Sequence, residues 1–232
     1  MKKILMTVGG VIVLGLALTF VFMMGKSAFF GKTVVTSTTS TMPDPFLGMV
    51  IPPEYASDPA TKAVIERKIE LVKKAYSEKP GTWETWIAIG DIRALLKDYN
   101  GAIAAYRNSL ALNSHNIVGY RNLAVVYENN LNDFQKAEEN FKLAIDNNPS
   151  DIENYIELAR VQSKRLNHPL DAEKTLKDGL KVTNYNPDIW LTLVRHYQSV
   201  GDTKNYTEQA KALLEAYPAN TQYKELFKDI VK

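Results

Sequence analysis

The chain has 232 residues, no cysteine and a formal net charge of +2, from 28 basic and 26 acidic residues. The lack of cysteine excludes disulfide bonds, thiol nucleophiles and cysteine-ligated metals. From residue 61 to the C-terminus there are 24 basic and 23 acidic residues, whereas nucleic-acid-binding proteins usually carry a basic excess on one face. Nucleic-acid binding is therefore not expected.

The N-terminus carries a long uncharged run, from residue 4 to residue 24, directly after Lys2 and Lys3. About 20 residues, at about 1.5 Å each, are enough to cross the apolar core of a bilayer. A cleaved signal peptide is the alternative, but its apolar region usually spans only about 7 to 15 residues. We therefore expect a membrane anchor over residues 1–30, with a transmembrane helix at 4–24.

The charges that flank this run predict its orientation. Lys2, Lys3 and the α-amine precede it, and Lys26 and Lys32 follow it. Positive charge favours the cytoplasmic side, so the N-terminus is expected to stay inside as part of a signal anchor. The expected localisation is a single-pass protein of the plasma (inner) membrane with its folded domain extracytoplasmic.

Residues 31–57 have the composition of a linker, with a Ser/Thr-rich stretch followed by several prolines. These prolines prevent a continuous helix, so an extended tether is expected. An apolar stretch at 46–51 interrupts this composition. It could dock on the domain or on a partner, but a loosely ordered linker segment is the favoured interpretation.

Two amphipathic capping helices are expected, one in residues 58–82 and one in residues 221–232. Their apolar stripes are Ile65, Ile69, Val72 and Tyr76 in the first, and Tyr223, Leu226, Phe227 and Ile230 in the second. Each stripe has the spacing of one helix face. Helices that are apolar inward and charged outward are needed at the ends of an open helical array.

Between these caps, a helix-pair pattern recurs four times with a period of 34 to 35 residues. Each unit has a lead aromatic residue and, four positions later, a small or modest residue. The lead aromatics are Trp86, Tyr120, Tyr155 and Trp190, and the smaller residues are Gly90, Ala124, Ala159 and Val194. Such a period is the signature of a solenoid in which neighbouring units bury one another's apolar faces. The predicted units are 83–116, 117–151, 152–186 and 187–220.

The small residues are expected where the two helices of one unit cross. Without a large side chain at Gly90, for example, the helix axes can approach to roughly 8 Å. The lead aromatics are expected to fill the space between successive units. A large side chain at Gly90 should therefore separate the first helix pair.

The pattern resembles the tetratricopeptide repeat, whose 34 residues carry Trp, Leu-Gly, Tyr, Ala, Phe, Ala and Pro in order. The second unit shows this order at Tyr120, Leu123, Ala124, Tyr127, Ala137, Phe141, Ala144 and Pro149. Ser114 and Asn184 replace the proline in the first and third units, and the fourth exchanges the small and large residues at Tyr206 and Ala210. The resemblance implies an all-α, right-handed superhelical solenoid of helix-turn-helix repeats, here preceded by one N-terminal transmembrane helix.

The resemblance also implies that a partner protein or peptide segment binds on a concave face, which the first helix of each unit forms. The residues predicted to bind the partner are Arg121, Asn122, Ile156, Arg160, Leu191 and Arg195. An apolar floor with paired arginines suits an extended peptide or a helix that carries carboxylates. Alternatively, the arginines pair with Glu153, Glu157 or Asp188 of their own surface.

One known binding mode of the family is not expected. Some members grip the C-terminal carboxylate of a partner with Lys, Asn and Arg side chains from three successive units. Asn122 occupies one of these positions, but Ile87, Asp91, Glu153 and Glu157 occupy others. Acidic residues there would repel a carboxylate.

The sequence contains no pattern of a catalytic, cofactor-binding or metal-binding site. His115, His168 and His196 lack metal-ligand spacing, and neither a glycine-rich loop before a helix nor a nucleophile motif occurs. We therefore expect no enzyme and no cofactor. The expected function is a membrane-anchored scaffold that docks a partner polypeptide during assembly or maturation in a bacterial envelope. A self-associating structural membrane protein is the alternative.

Overall fold

The computed structural model describes residues 44–230, in which all regular secondary structure is helical. The helices are α1 (Pro53–Ala56), α2 (Pro59–Glu78), α3 (Trp83–Leu95), α4 (Tyr99–Leu112), α5 (Ile117–Asn129), α6 (Phe134–Asn147), α7 (Ile152–Lys164), α8 (Pro169–Val182), α9 (Pro187–Val200), α10 (Thr203–Ala216) and α11 (Thr221–Leu226). Helices α3 to α10 pack as four successive pairs, and each pair also contacts the next. The predicted all-α solenoid of helix pairs is confirmed.

The predicted transmembrane helix at 4–24 lies outside the described residues. Within residues 44–230, no helix combines the length and the apolar character needed to cross a bilayer. The longest, α2, has 20 residues but carries charged side chains such as Lys62, Glu66 and Lys73, which are costly in lipid. This finding corrects the predicted localisation: a single-pass protein of the plasma (inner) membrane with an extracytoplasmic domain is not supported.

The turn within each unit is built from a left-handed residue followed by a helix cap. The left-handed residues are Lys97, Asn132, Asn167 and Gly201, with φ between 54° and 77°. The next residue is the N-cap of the second helix, and in units one, two and four it is an aspartate whose side chain accepts a backbone N–H of the first turn. In unit three the N-cap is His168, whose side chain makes no capping hydrogen bond. There Pro169 at the first position of α8 favours the start of the helix, because its φ is fixed near the helical value.

The apolar core runs across the unit boundaries. Phe141 of unit two is fully buried in one cluster with Leu158 and Val161 of unit three. At the C-terminal end, Tyr223 and Phe227 cover the last pair. Each unit therefore depends on its neighbour to bury its apolar surface, as expected of a solenoid.

The lead aromatics differ in burial. Trp86 and Tyr155 are buried, whereas Tyr120 and Trp190 are half-buried. The polar atoms of the half-buried pair are satisfied, because the Tyr120 hydroxyl donates to the Ser114 carbonyl at 3.2 Å and Trp190 Nε1 donates to Gln209 at 3.0 Å. In the C-terminal stripe, Leu226 is 49% exposed, so it does not share the inward face with its neighbours.

Residues 44–51, which we call the N-terminal strap, pack against the cap helix and the first unit. The ring of Phe46 meets that of Tyr76 edge-on at 5.8 Å, and Tyr76 meets Trp86 in the same way at 6.1 Å. Arg93 donates hydrogen bonds to the backbone carbonyls of Pro45 and Leu47 at 2.8 and 3.2 Å. The favoured interpretation of a loosely ordered segment is therefore wrong, because the first unit has apolar surface that the strap covers.

The helix crossing in unit one predicts a severe effect of Gly90→Leu. A Cβ atom at Gly90 would lie 2.3 Å from Cε1 of Tyr106, a buried ring with little room to move. We expect the free energy of unfolding in urea to fall by about 3 kcal/mol. Ala104→Leu, on the exposed side of α4, is the matched control and should stay within about 0.5 kcal/mol of wild type. Equal losses in both variants would show that Gly90 does not lie at the crossing.

A buried amide predicts a stabilising substitution. The side chain of Asn154 is fully buried, and within residues 44–230 neither its Oδ1 nor its Nδ2 has a hydrogen-bond partner. Leu has the same number of side-chain heavy atoms with the same branching, and the equivalent residue of unit four is the buried Ile189. We expect Asn154→Leu to raise the free energy of unfolding by about 1 to 3 kcal/mol. A loss of stability would indicate that this amide is needed where it lies.

Candidate partner-binding site

The ninth residues of the four first helices are Asp91, Val125, Arg160 and Arg195. They come from α3, α5, α7 and α9, one per unit. We call the surface along this column the first-helix face. The residues predicted to bind a partner lie on or beside the first-helix face. The contacts that each makes within the protein decide whether its side chain is available to a partner.

Arg160 is fully occupied within the protein. Its two terminal nitrogens each donate to a carboxylate oxygen of Glu128 at 2.5 Å, and its Nε donates to Glu157 at 2.8 Å. The side chain of Glu128 is 0% exposed and also accepts from Arg165 at 3.1 Å. These bonds connect the first helix of unit two to that of unit three, so Arg160 holds the two units together.

The charge of Glu128 is maintained by these arginines. Burial, the largest effect, acts to raise the pKa of this carboxyl. Hydrogen bonds from Arg160 and Arg165 outweigh it, so the pKa lies below its usual value. Glu128 is therefore ionised at neutral pH, and removing an arginine would leave a buried charge less compensated.

Arg121 and Asn122 are also engaged. Arg121 donates to Glu153 at 3.0 Å and lies 3.7 Å from Asp151. Asn122 donates to Asp91 at 3.0 Å. The alternative interpretation, in which arginines pair with acids of their own surface, therefore describes Arg121 and Arg160.

Arg195 differs from these residues. It is exposed, and within residues 44–230 it forms neither a hydrogen bond nor an ion pair. The five basic residues on α3, α5, α7 and α9 are Arg93, Arg121, Arg160, Lys164 and Arg195. The first three are paired with carboxylates, whereas Lys164 and Arg195 have no such partner in the described part of the chain.

A groove between α7 and α9 brings the two unpaired cations together. It has a cavity volume of about 350 Å³ and is lined by ten residues, none of them acidic: Ile156, Ala159, Arg160, Ser163, Lys164, Leu176, Thr192, Arg195, His196 and Ser199. Of the six predicted binding residues, Ile156, Arg160 and Arg195 meet here. Leu191 instead packs against the cluster of unit four and the C-terminal cap, and Arg121 and Asn122 lie outside the lining.

Lys164 and His196 are groove residues that the sequence prediction missed. Lys164 follows Arg160 by four residues, so it lies one turn further along the same helix face, and this spacing could have identified it. His196 is buried. Its burial is the main reason why its pKa is lowered from the usual value, so its ring is neutral at physiological pH. In the described part of the chain, no three His, Cys, Asp or Glu residues are grouped to hold a metal ion.

Residues 84–116 and 120–151 match a family model described as tetratricopeptide repeat. Units one and two therefore carry the tetratricopeptide-repeat pattern. A search of curated proteins gave no match.

Several solved structures share the helical fold of this chain. One structure of MamA superposes with a TM-score of 0.55 and 19% identity, covering 71% of this chain and 95% of MamA. Another MamA structure gives a TM-score of 0.54 and 17% identity, covering 76% of this chain and 91% of MamA. YrrB is described as a TPR protein with an unusual peptide-binding site. Its TM-score is 0.49 and its sequence identity 18%, and the match covers 66% of this chain and 77% of YrrB. At such low identities, the two MamA superpositions show a shared fold and nothing more.

The contrast between Arg160 and Arg195 predicts different effects of alanine. Arg160→Ala should lower the free energy of unfolding in urea by about 2 kcal/mol. This loss is smaller than for a fully buried ion pair, because Arg160 is 37% exposed and Arg165 still donates to Glu128 in the variant. Arg195→Ala is the matched control, since it removes the same side chain at the same position of the next unit. It should change stability by no more than about 0.5 kcal/mol. Equal effects would contradict the structural role of Arg160.

Proposed function

We propose that this protein is a tetratricopeptide scaffold that binds a partner polypeptide along its first-helix face, with the groove between α7 and α9 as the main contact. The observation that carries this proposal is the groove itself, in which Lys164 and Arg195 lie beside apolar side chains and have no carboxylate partner within residues 44–230. Elsewhere on the first helices of the four units, basic side chains are neutralised by internal carboxylates.

The chemistry of the groove supports non-covalent docking. Ile156, Ala159 and Leu176 offer apolar contact, and the two cations offer charge-assisted hydrogen bonds, which are stronger than neutral ones. Extended peptides and amphipathic helices both bind in grooves of this composition. The sequence left self-association open, and in that case a second copy of this chain would be the occupant.

Site-specific photo-crosslinking tests the proposal. A photoreactive benzoylphenylalanine at Val125 lies on the first-helix face, and one at Leu143 lies on the second helix of the same unit. The two positions form a matched pair, because Val125 and Leu143 are 40% and 41% exposed. We expect crosslinks in cells from position 125 and none from position 143.

The mass of the crosslinked product identifies the occupant. A product of this chain plus a different polypeptide supports the scaffold, whereas a product of twice the chain mass supports self-association. Crosslinks only from position 143, or from neither position, would contradict docking on the first-helix face.

A further inference from the structure

We propose that the groove between α7 and α9 recognises an acidic side chain that neighbours an apolar one in the partner polypeptide, with Lys164 and Arg195 binding its carboxylate. This inference rests on the proposed function and adds the chemistry of the partner.

The argument begins from a comparison of equivalent positions in adjacent units. Arg160 receives one carboxylate from Glu128, twelfth in the preceding unit, and another from Glu157, three residues before it. The same two positions around Arg195 hold Ser163 and Thr192. Unit four therefore keeps the arginine but lacks both of the acids that neutralise it in unit three.

The surroundings of Arg195 do not replace these acids. Both Ser163 and Thr192 line the groove, and the Thr192 hydroxyl donates to the backbone carbonyl of Asp188 at 2.7 Å. Lys164 adds a second cation to the same lining. No acidic residue of the described part of the chain lines this groove, so a carboxylate from outside would be bound by both cations.

Arg160 cannot serve as a third ligand-binding cation, because Glu128 and Glu157 already occupy its nitrogens. The remaining lining is partly apolar: half-buried Ile156 and the largely buried Ala159 and Leu176 lie in the same groove as the cations, together with the polar Ser163, Thr192, His196 and Ser199. A partner residue next to the acidic one is therefore expected to be apolar, since burying it against this floor contributes favourable free energy.

The test starts from a random peptide library displayed on phage and selected on the full 232-residue chain. The consensus peptide is then synthesised with a fluorescein label, and its affinity is measured by fluorescence anisotropy. We expect an Asp or Glu next to an apolar residue, with about tenfold weaker binding after Lys164→Gln or Arg195→Gln. Binding should also weaken as salt is raised.

Two further variants test whether binding depends on the charges inside the groove or on the net charge of the whole protein. Ser163→Glu restores the internal carboxylate that Glu128 supplies one unit earlier, so it should weaken binding as much as Arg195→Gln. Lys211→Gln removes an exposed cation from α10, outside the groove lining, and should leave the affinity unchanged.

The outcomes distinguish this inference from the proposed function. A consensus without acidic residues, or an acidic peptide whose affinity is unaffected by Arg195→Gln and Ser163→Glu, overturns the inference while peptide docking stands. A library that yields no binding peptide also overturns it, and the crosslinks from position 125 then decide whether docking itself survives. A consensus that matches a segment of this chain would identify a second copy as the occupant and overturn the choice of a foreign partner.

Discussion

The burial of each unit's apolar surface by the next unit is the constraint on which this structure depends. Phe141 of unit two is fully buried in a cluster to which unit three contributes Leu158 and Val161. The same constraint operates at both ends of the array, where the N-terminal strap packs on unit one and the segment around Phe227 packs on unit four. Since packing between units fixes the first helices side by side, it also decides which polar side chains meet on the first-helix face.

Electrostatics on that face follows from the same register. Glu128 and Arg160 are 32 residues apart in sequence, yet they meet because the twelfth residue of one first helix approaches the ninth residue of the next. One unit later the same geometry places Ser163 by Arg195. The residue at the twelfth position of one unit therefore decides whether the arginine at the ninth position of the next is paired: Glu128 pairs with Arg160, whereas Ser163 offers Arg195 no carboxylate.

Much of the fold could be predicted from the sequence, because the 34- to 35-residue period directly reflects helix pairs. The N-terminal strap could not, since its apolar residues follow no helical period and its partner surface is formed by other elements. The alternative pairing of Arg160 with Glu157 was foreseen, but its bonds to Glu128 could not be predicted, because they cross between units. Lys164 was missed although it follows Arg160 by four residues on the same helix.

Nitrogen-15 NMR of the arginine side chains tests most directly whether Arg160 is paired and Arg195 is free. Their Nε–H signals can be assigned from Arg160→Lys and Arg195→Lys variants, and their exchange with water can be measured in the protein without ligand. The Nε–H of Arg160 donates to Glu157, so it should exchange slowly, while that of Arg195 should exchange at the rate of a solvated guanidinium. Equal protection of both signals would contradict the distinction on which the proposed binding site rests.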